Sequence, residues 1–156
     1  MLTGSCADRV RRYYQEALVA GHWDYARELI APHATVADGV GPDAKIEPTA
    51  RAVAGLSDLR VDIQHLVEGD SQVAVHFVFS ATDSGGFAGH PATGRRFSTW
   101  GVEFWRFEGE QVVEEWIGLD YLGLFIQLGV VPSPWPSASS VSVVGLSVGW
   151  EEETKA

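Results

Sequence analysis

The alternation of apolar and polar residues is strongest in residues 101–120, where it predicts a β-hairpin. Two runs that alternate between apolar or aromatic and polar residues flank the turn Glu108-Gly109-Glu110. Glu103 shares its parity in the first strand with a largely aromatic set of residues, so we expect its carboxyl on their face of the sheet. These residues are Phe97, Thr99, Trp105 and Phe107. Asp120 closes the second strand, and the apolar run that follows it predicts a short helix ended by Gly129 and Pro132.

The N-terminal part of the chain is predicted to form two helices and a short extended segment. In residues 6–20 the apolar positions recur at helical spacing with charged residues between them, and Gly21 supplies the stop. Residues 22–30 are predicted to form a second helix that Pro32 ends, and residues 35–38 are predicted to be extended. The two helices are expected to pack together as a hairpin.

The middle of the chain is predicted to contain loops and long strands. Residues 39–48 hold two glycines, two prolines and several charges, which predicts a loop, and residues 49–56 are predicted to form one or two helical turns. Residues 59–68 and 72–81 are predicted to pair as antiparallel strands across the turn Gly69-Asp70. A loop rich in glycine then leads to a long strand from Arg95.

This order of elements predicts an α+β fold. We expect a cone-shaped α+β barrel, in which a curved, mostly antiparallel sheet wraps around helices and leaves an internal apolar cavity. Residues 1–132 are predicted to form this domain, and residues 133–156 a C-terminal linker and tail. Within that tail, residues 141–148 are predicted to be an added strand or an apolar tail.

Composition limits the partners that the protein can have. The 156 residues suffice for one domain with one core, and the formal net charge of −10 argues against nucleic acid or an anionic membrane as a partner. Cys6 is the only cysteine, which excludes a disulfide framework and fits a reducing cytoplasm. We find no secretory signal, no run of ~20 apolar residues, and no metal-ligand spacing among the five histidines. We therefore expect a cytoplasmic protein that binds a hydrophobic small molecule without a metal or cofactor.

Three side chains are candidates for acid/base chemistry on the basis of their surroundings. Asp120 stands at a strand-to-helix corner near Trp116, where partial desolvation would raise its pKa, although an aspartate there can also cap the helix. Glu103 is predicted to be buried. A lone buried carboxyl is protonated and can donate a hydrogen bond; the alternative is that Glu103 only lines the pocket. Tyr14 lies on an apolar helix face, where its hydroxyl points into the cavity or its ring is only part of the core.

Other polar and aromatic residues are candidates for contact with a ligand. His76 alternates with core residues on its strand, and His90 lies in a loop that is predicted to cover the mouth of the cone. Aromatic side chains suit a flat polycyclic ligand, and they are also typical of a core. The aromatic candidates are Phe97, Trp105 and Trp116.

Short motifs over residues 11–132 give the chain a resemblance to a known family. The motifs are RYY at residues 12–14, AGHWD at 20–24, LIAPHATV at 29–36, PATGR at 91–95, GVEFWR at 101–106, EEW at 114–116 and QLG at 127–129. In this order and spacing they resemble the SnoaL-like polyketide cyclases, members of the nuclear transport factor 2-like and ketosteroid isomerase-like superfamily.

The resemblance implies two sets of site residues. In SnoaL-like cyclases the aspartate four residues after the tryptophan of the EEW motif acts as acid/base, which here is Asp120. In ketosteroid isomerases a tyrosine of the first helix, an aspartate after the second helix and an acid on the long strand form the site, and the matching residues are Tyr14, Asp38 and Glu103. The chain departs from these patterns in having a glutamate on the strand and in having Glu115 where SnoaL-like proteins often have histidine.

The resemblance and these residues together lead to three functional hypotheses. The first is a cofactor-independent cyclase or isomerase of polyketide-type natural products that removes a proton next to a carbonyl. The second is an epoxide-opening cyclase or hydrolase that uses two of the acids. The third is a non-catalytic binding module, for which we expect a cavity without a buried carboxylate.

The resemblance also implies self-association through the outer face of the sheet. On the long strand the parity opposite to Glu103 contains Trp100, Val102 and Phe104, so both faces of the sheet are predicted to be apolar. Because helices cover one face only, we expect a homodimer or homotetramer.

Overall fold

The computed structural model describes residues 2–37 and 39–134 of the chain. Helix α1 (Cys6–Arg12) continues directly into a π-helical segment (Tyr13–Val19), and three further α-helices are described. They are α2 (Trp23–Leu29), α3 (Pro42–Val53) and α4 (Tyr121–Leu128). The six strands are β1 (Ile30–Val36), β2 (Gly39–Val40), β3 (Leu56–Glu68), β4 (Gln72–Asp83), β5 (Arg96–Glu108) and β6 (Gln111–Leu119).

The six strands form one sheet in the order β2-β1-β6-β5-β4-β3. Strands β1 and β6 run parallel, and every other neighbouring pair is antiparallel. The sheet is curved but not closed, since β2 and β3 form its two edges. The α+β fold class predicted from the order of elements is therefore confirmed.

The long strand β5 alternates between a buried and an exposed face, as its sequence predicts. Phe97, Thr99, Glu103, Trp105 and Phe107 are all buried. On the opposite face Trp100 is 51% exposed and Phe104 52% exposed. The buried face of β5 therefore carries one carboxyl, Glu103, among rings and aliphatic side chains.

Two local predictions for the N-terminal half are wrong. Residues 39–48 were predicted to be a loop, but they contain β2 and the first half of α3. Gly41 turns the chain with φ of 82°, and Pro42 occupies the first helical turn, where its missing N–H leaves no bond unmade. The second helix, predicted over residues 22–30, is present as Trp23–Leu29, but Pro32 does not end it, because β1 begins at Ile30 and Pro32 lies inside that strand.

The ends of the chain add little to this description. The predicted added strand or tail at residues 141–148 lies outside the described residues. Within the described ranges, none of the helices has both the length and the apolar character needed to cross a membrane.

Candidate functional site

A cavity of about 790 Å³ lies between the helices and the buried face of the sheet. Much of its wall is aliphatic or aromatic, and Leu18, Val53, Phe77, Phe79 and Phe87 are examples. Its volume is in the range of sites that hold drug-sized ligands. The described wall also contains a carboxyl group and an ammonium group, which an apolar cavity accommodates only when they are paired.

Glu103 supplies the carboxyl, and both of its oxygens accept hydrogen bonds. It projects from the middle of β5 into the cavity wall and is 2% exposed. Its Oε2 accepts a short hydrogen bond from the Tyr14 hydroxyl of the π-helical segment, and its Oε1 lies 2.7 Å from Lys45 Nζ. Two predicted residues, Tyr14 and Glu103, therefore meet in the wall of one cavity, although they are far apart in sequence.

Lys45, which was not predicted as a site residue, supplies the ammonium. It projects from α3 into the cavity wall and is 4% exposed. Its Nζ lies 2.7 Å from an oxygen of Glu103 and 2.7 Å from Glu115 Oε1. The rings of Tyr13 and Trp105 flank it, with centroids 5.5 and 5.1 Å from Nζ. The ammonium is thus held by two carboxylates and two aromatic rings.

Glu115 reaches Lys45 because the strand register shifts in the β5–β6 hairpin. Phe107 is paired with Val112, whereas the preceding Arg106 is paired with Glu114, so Val113 is an extra residue in β6. After this bulge the odd-numbered Glu115 faces inward, opposite Trp105. The second oxygen of Glu115 accepts a hydrogen bond of 3.2 Å from the backbone N–H of Ala37.

Burial and neighbouring charges shift the pKa values of the titratable groups in this cluster. Burial raises the pKa of Glu103 to about 7, against the attraction of Lys45 and with the repulsion of Glu115. Burial by itself would lower the pKa of Lys45, but the charges of Glu103 and Glu115 outweigh it and raise that pKa above its ordinary value. Burial also raises the pKa of Tyr14 well above its usual range, and the neighbouring Glu103 adds to this shift. The cluster therefore combines an ammonium group that stays protonated, Lys45, with a carboxyl that changes charge near pH 7, Glu103.

Asp120, one of the two aspartates that were predicted as bases, is not part of this cluster. Asp120 caps α4, with Oδ1 accepting a hydrogen bond of 2.8 Å from the Gly123 N–H, and it is not among the residues that line the cavity. Asp38 lies outside the described residues. Their acid/base roles stay predictions.

The predicted ligand-binding residues have different positions. Trp116 borders the cavity while it remains 59% exposed. Trp105 is buried beneath Lys45, and Phe97 packs against Phe79 and Phe87 in the core.

Neither of the two candidate histidines is among the described residues that line the cavity. His76 pairs with His65 across β3 and β4, with their Nδ1 atoms 3.1 Å apart. His90 is exposed and packs its ring against Phe125.

Comparison with known proteins assigns a family to the fold. The family model described as SnoaL-like polyketide cyclase matches residues 8–128. Comparison with curated proteins found no match.

Solved structures with the same fold cover most of the chain. TsrD from Streptomyces laurentii is 22% identical with a TM-score of 0.74, over 84% of this chain and all of its own. IdmH from Streptomyces antibioticus, for which polyketide cyclase is the suggested activity, is 27% identical with a TM-score of 0.69, over 79% of this chain and 97% of its own. AclR from Streptomyces galilaeus, with a suggested hydroxylase activity, is 24% identical with a TM-score of 0.70, over 86% of this chain and 88% of its own.

Proposed function

Because the chain belongs to the SnoaL-like polyketide cyclase family, we propose that it is a cofactor-independent cyclase or isomerase. Its substrate is a polyketide-type natural product with an enolisable carbonyl. The observation that carries this proposal is a buried carboxyl, Glu103, which shares the wall of a largely apolar cavity with its hydrogen-bonding partner Tyr14.

Glu103 is the proton carrier in this mechanism. In its ionised form it takes a proton from the carbon next to the substrate carbonyl, and the electron pair moves to the carbonyl oxygen. The Tyr14 hydroxyl, which also lines the cavity, has a single O–H and turns it from Glu103 to that oxygen as Glu103 takes the proton. The resulting enolate attacks an internal carbonyl or takes the proton back at another carbon. A carboxyl with a pKa of about 7 suits both halves of this exchange, because both of its forms are populated at neutral pH.

The position of the carboxyls favours this function over the alternatives. A non-catalytic binding module was expected to have a cavity without a buried carboxylate, whereas Glu103 lies in the cavity wall. Epoxide opening needs two acids that face one substrate. Of the two buried glutamates, only Glu103 is among the cavity-lining residues described, and Glu115 lies behind Lys45.

Proton exchange in D₂O tests the proposal without knowledge of the natural substrate. The purified protein is incubated with a panel of polyketide-type esters, β,γ-enones and epoxides, and products are followed by NMR. We expect deuterium to enter carbonyl members next to the carbonyl faster than in buffer, with cyclised or isomerised product, and we expect Glu103→Gln to lose both. Exchange at the buffer rate for every carbonyl member would contradict the proposal. If the protein opens epoxides but does not catalyse hydrogen exchange next to a carbonyl, the epoxide-opening function would replace the proposed one.

A further inference from the structure

We propose that Lys45 is a second catalytic residue, whose ammonium donates a hydrogen bond to the enolate oxygen, and that Glu115 is the residue that positions it. This inference rests on the proposed function, and it assigns roles to two residues that were not among the predicted site residues.

Lys45 can donate a hydrogen bond to a ligand when Glu103 takes a proton. An ammonium has three N–H donors. In the part of the chain that the structure describes, Nζ donates hydrogen bonds to one oxygen each of Glu103 and Glu115, and the Tyr13 hydroxyl is a further partner of the ammonium. Lys45 is also among the residues that line the cavity, as is Tyr14. A carbonyl oxygen next to Glu103 can therefore receive the hydrogen bonds of Lys45 and Tyr14 that Glu103 releases when it takes the proton.

The charges of the cluster balance through the reaction. Before proton transfer Lys45 faces two carboxylates and a neutral substrate. When the C–H bond breaks, its proton goes to a Glu103 oxygen and its electron pair becomes the enolate, so Lys45 exchanges one anionic partner for another. The total charge of the buried cluster does not change. Charge separation in a low-dielectric cavity is costly, and this arrangement avoids it.

Lys45 acts as a cation and not as a nucleophile. An imine with a substrate carbonyl requires a neutral amine. The two neighbouring carboxylates keep the amine protonated, since they raise its pKa in spite of its burial. Reduction with borohydride in the presence of a carbonyl substrate should therefore leave Lys45 unmodified, and a covalent adduct on Lys45 would overturn this role.

Glu115 acts through Lys45 because it does not border the cavity in the described structure. Its side chain is fully buried, with one oxygen on Lys45 and the other on the backbone N–H of Ala37. It thus fixes the ammonium between β6 and α3 and balances its charge when Glu103 is protonated. The titratable groups that face Glu103 in the described structure are Tyr13 and Tyr14 from the π-helical segment, Lys45 from α3 and Glu115 from β6.

The first experiment measures the effect of the Lys45 charge on the pKa of a bound phenol, and it requires no turnover. A nitrophenol imitates an enolate oxygen, and its neutral and ionised forms differ in absorbance. We expect the pKa of the bound phenol to be about 1–3 units lower in the wild type than in Lys45→Met, because an opposite charge stabilises the phenolate. Arg51→Met, which removes an exposed cation from the same helix, is the control and should behave as the wild type. An equal pKa in the wild type and Lys45→Met would contradict the role of Lys45.

The second experiment measures the reaction. We expect Lys45→Met to lower the rate of hydrogen exchange by about 10²–10³-fold, as the loss of one oxyanion donor does in other enzymes. Because this variant leaves two buried carboxylates without a cation, the double variant Lys45→Met with Glu115→Gln is measured as well. Wild-type exchange in either folded variant would overturn the inference while the proposed function stood. Conversely, a Lys45-dependent phenol pKa without exchange of any carbonyl compound would refute the proposed function.

Glu115→Gln separates positioning from a purely structural role. Loss of its negative charge should lower the pKa of Glu103, and with it the pH at which the exchange rate reaches half of its maximum. Glu114→Gln, at the exposed neighbour that pairs with Arg106, is the matched control and should leave this midpoint unchanged. An unchanged midpoint in Glu115→Gln would show that Glu115 serves the fold alone.

Discussion

Glu103 shows how burial and pairing decide the behaviour of one side chain. Its native-state pKa is raised to about 7, whereas the same group in an unfolded chain titrates near its reference value of about 4.3. Between these two pH values the native state binds more protons than the unfolded state does. The free energy of unfolding should therefore fall as the pH rises from about 4.3 to about 7, and this contribution should be constant above that range.

Urea unfolding of the wild type and of Glu103→Gln at pH 5 and pH 8 measures this contribution. The wild type should lose more stability between the two pH values than the variant does, since only the wild type has the titrating group. Equal losses in the two proteins would show that Glu103 titrates in the folded state as it does in the unfolded chain.

Asp120 allows a second test of a single residue. The sequence predicts that Asp120→Asn lowers turnover by about 10²-fold or more, because the proton carrier is removed. In the structure the side chain caps α4 through the Gly123 N–H, and an asparagine oxygen can accept the same hydrogen bond. We expect Asp120→Asn to keep near wild-type turnover and Asp120→Ala to lose about 1 kcal/mol of stability. A large loss of turnover in a folded Asp120→Asn variant would restore its acid/base role.

Strand β5 was predictable, whereas the positions of Lys45 and Glu115 were not. Period-two alternation correctly placed Glu103 on the buried face with Trp105. Alternation does not place Glu115, because it has no information about the extra residue in β6 that changes the parity of this strand. Lys45 was missed because glycines and prolines in residues 39–48 are typical of a loop. Only the tertiary structure shows that they begin a helix.

The close approach of β4 and β5 under the cavity explains a glycine in β5. A Cβ at Gly101 would lie 2.5 Å from the Phe77 ring, which lines the cavity, whereas a Cβ at Gly118 in β6 would lie 3.7 Å from the Val102 side chain, an ordinary van der Waals distance. Gly101→Ala should therefore destabilise the protein by about 1–3 kcal/mol through overpacking. Gly118→Ala is the matched control and should stay within about 0.5 kcal/mol of the wild type. Thermal unfolding of both variants checks this, and equal stabilities would contradict the tight fit at Phe77.

The prediction that the protein forms a homo-oligomer is based on the outer face of the sheet. We define the outer patch as Trp100, Phe104 and Trp116, each of which is more than half exposed in one chain. Exposed aromatic residues that lie together on a sheet typically mark an interaction surface. The expectation of a homodimer or homotetramer stays a prediction.

Light scattering at micromolar concentration measures the assembly directly. We expect the full-length wild type to be a homo-oligomer and Phe104→Arg to dissociate, while Val19→Arg, on the exposed side of the helical hairpin, keeps the wild-type mass. A monomeric wild type would contradict the prediction. Loss of stability in Phe104→Arg without a change of mass would indicate instead that another part of the same chain covers the patch.

Two substitutions at Glu103 test whether this residue is the group that removes the proton. Glu103→Gln keeps the shape and can donate a hydrogen bond, but it cannot take a proton, whereas Glu103→Ala removes the group. The rate of deuterium entry next to the substrate carbonyl is measured for both variants and the wild type, with the folded state verified. If Glu103 is the base, the rate of deuterium entry should fall by about 10²-fold or more in both variants, and to a similar level. Substantial activity in Glu103→Gln beside an inactive Glu103→Ala would contradict the claim, since it would make Glu103 a hydrogen-bond donor and leave the base to be found elsewhere.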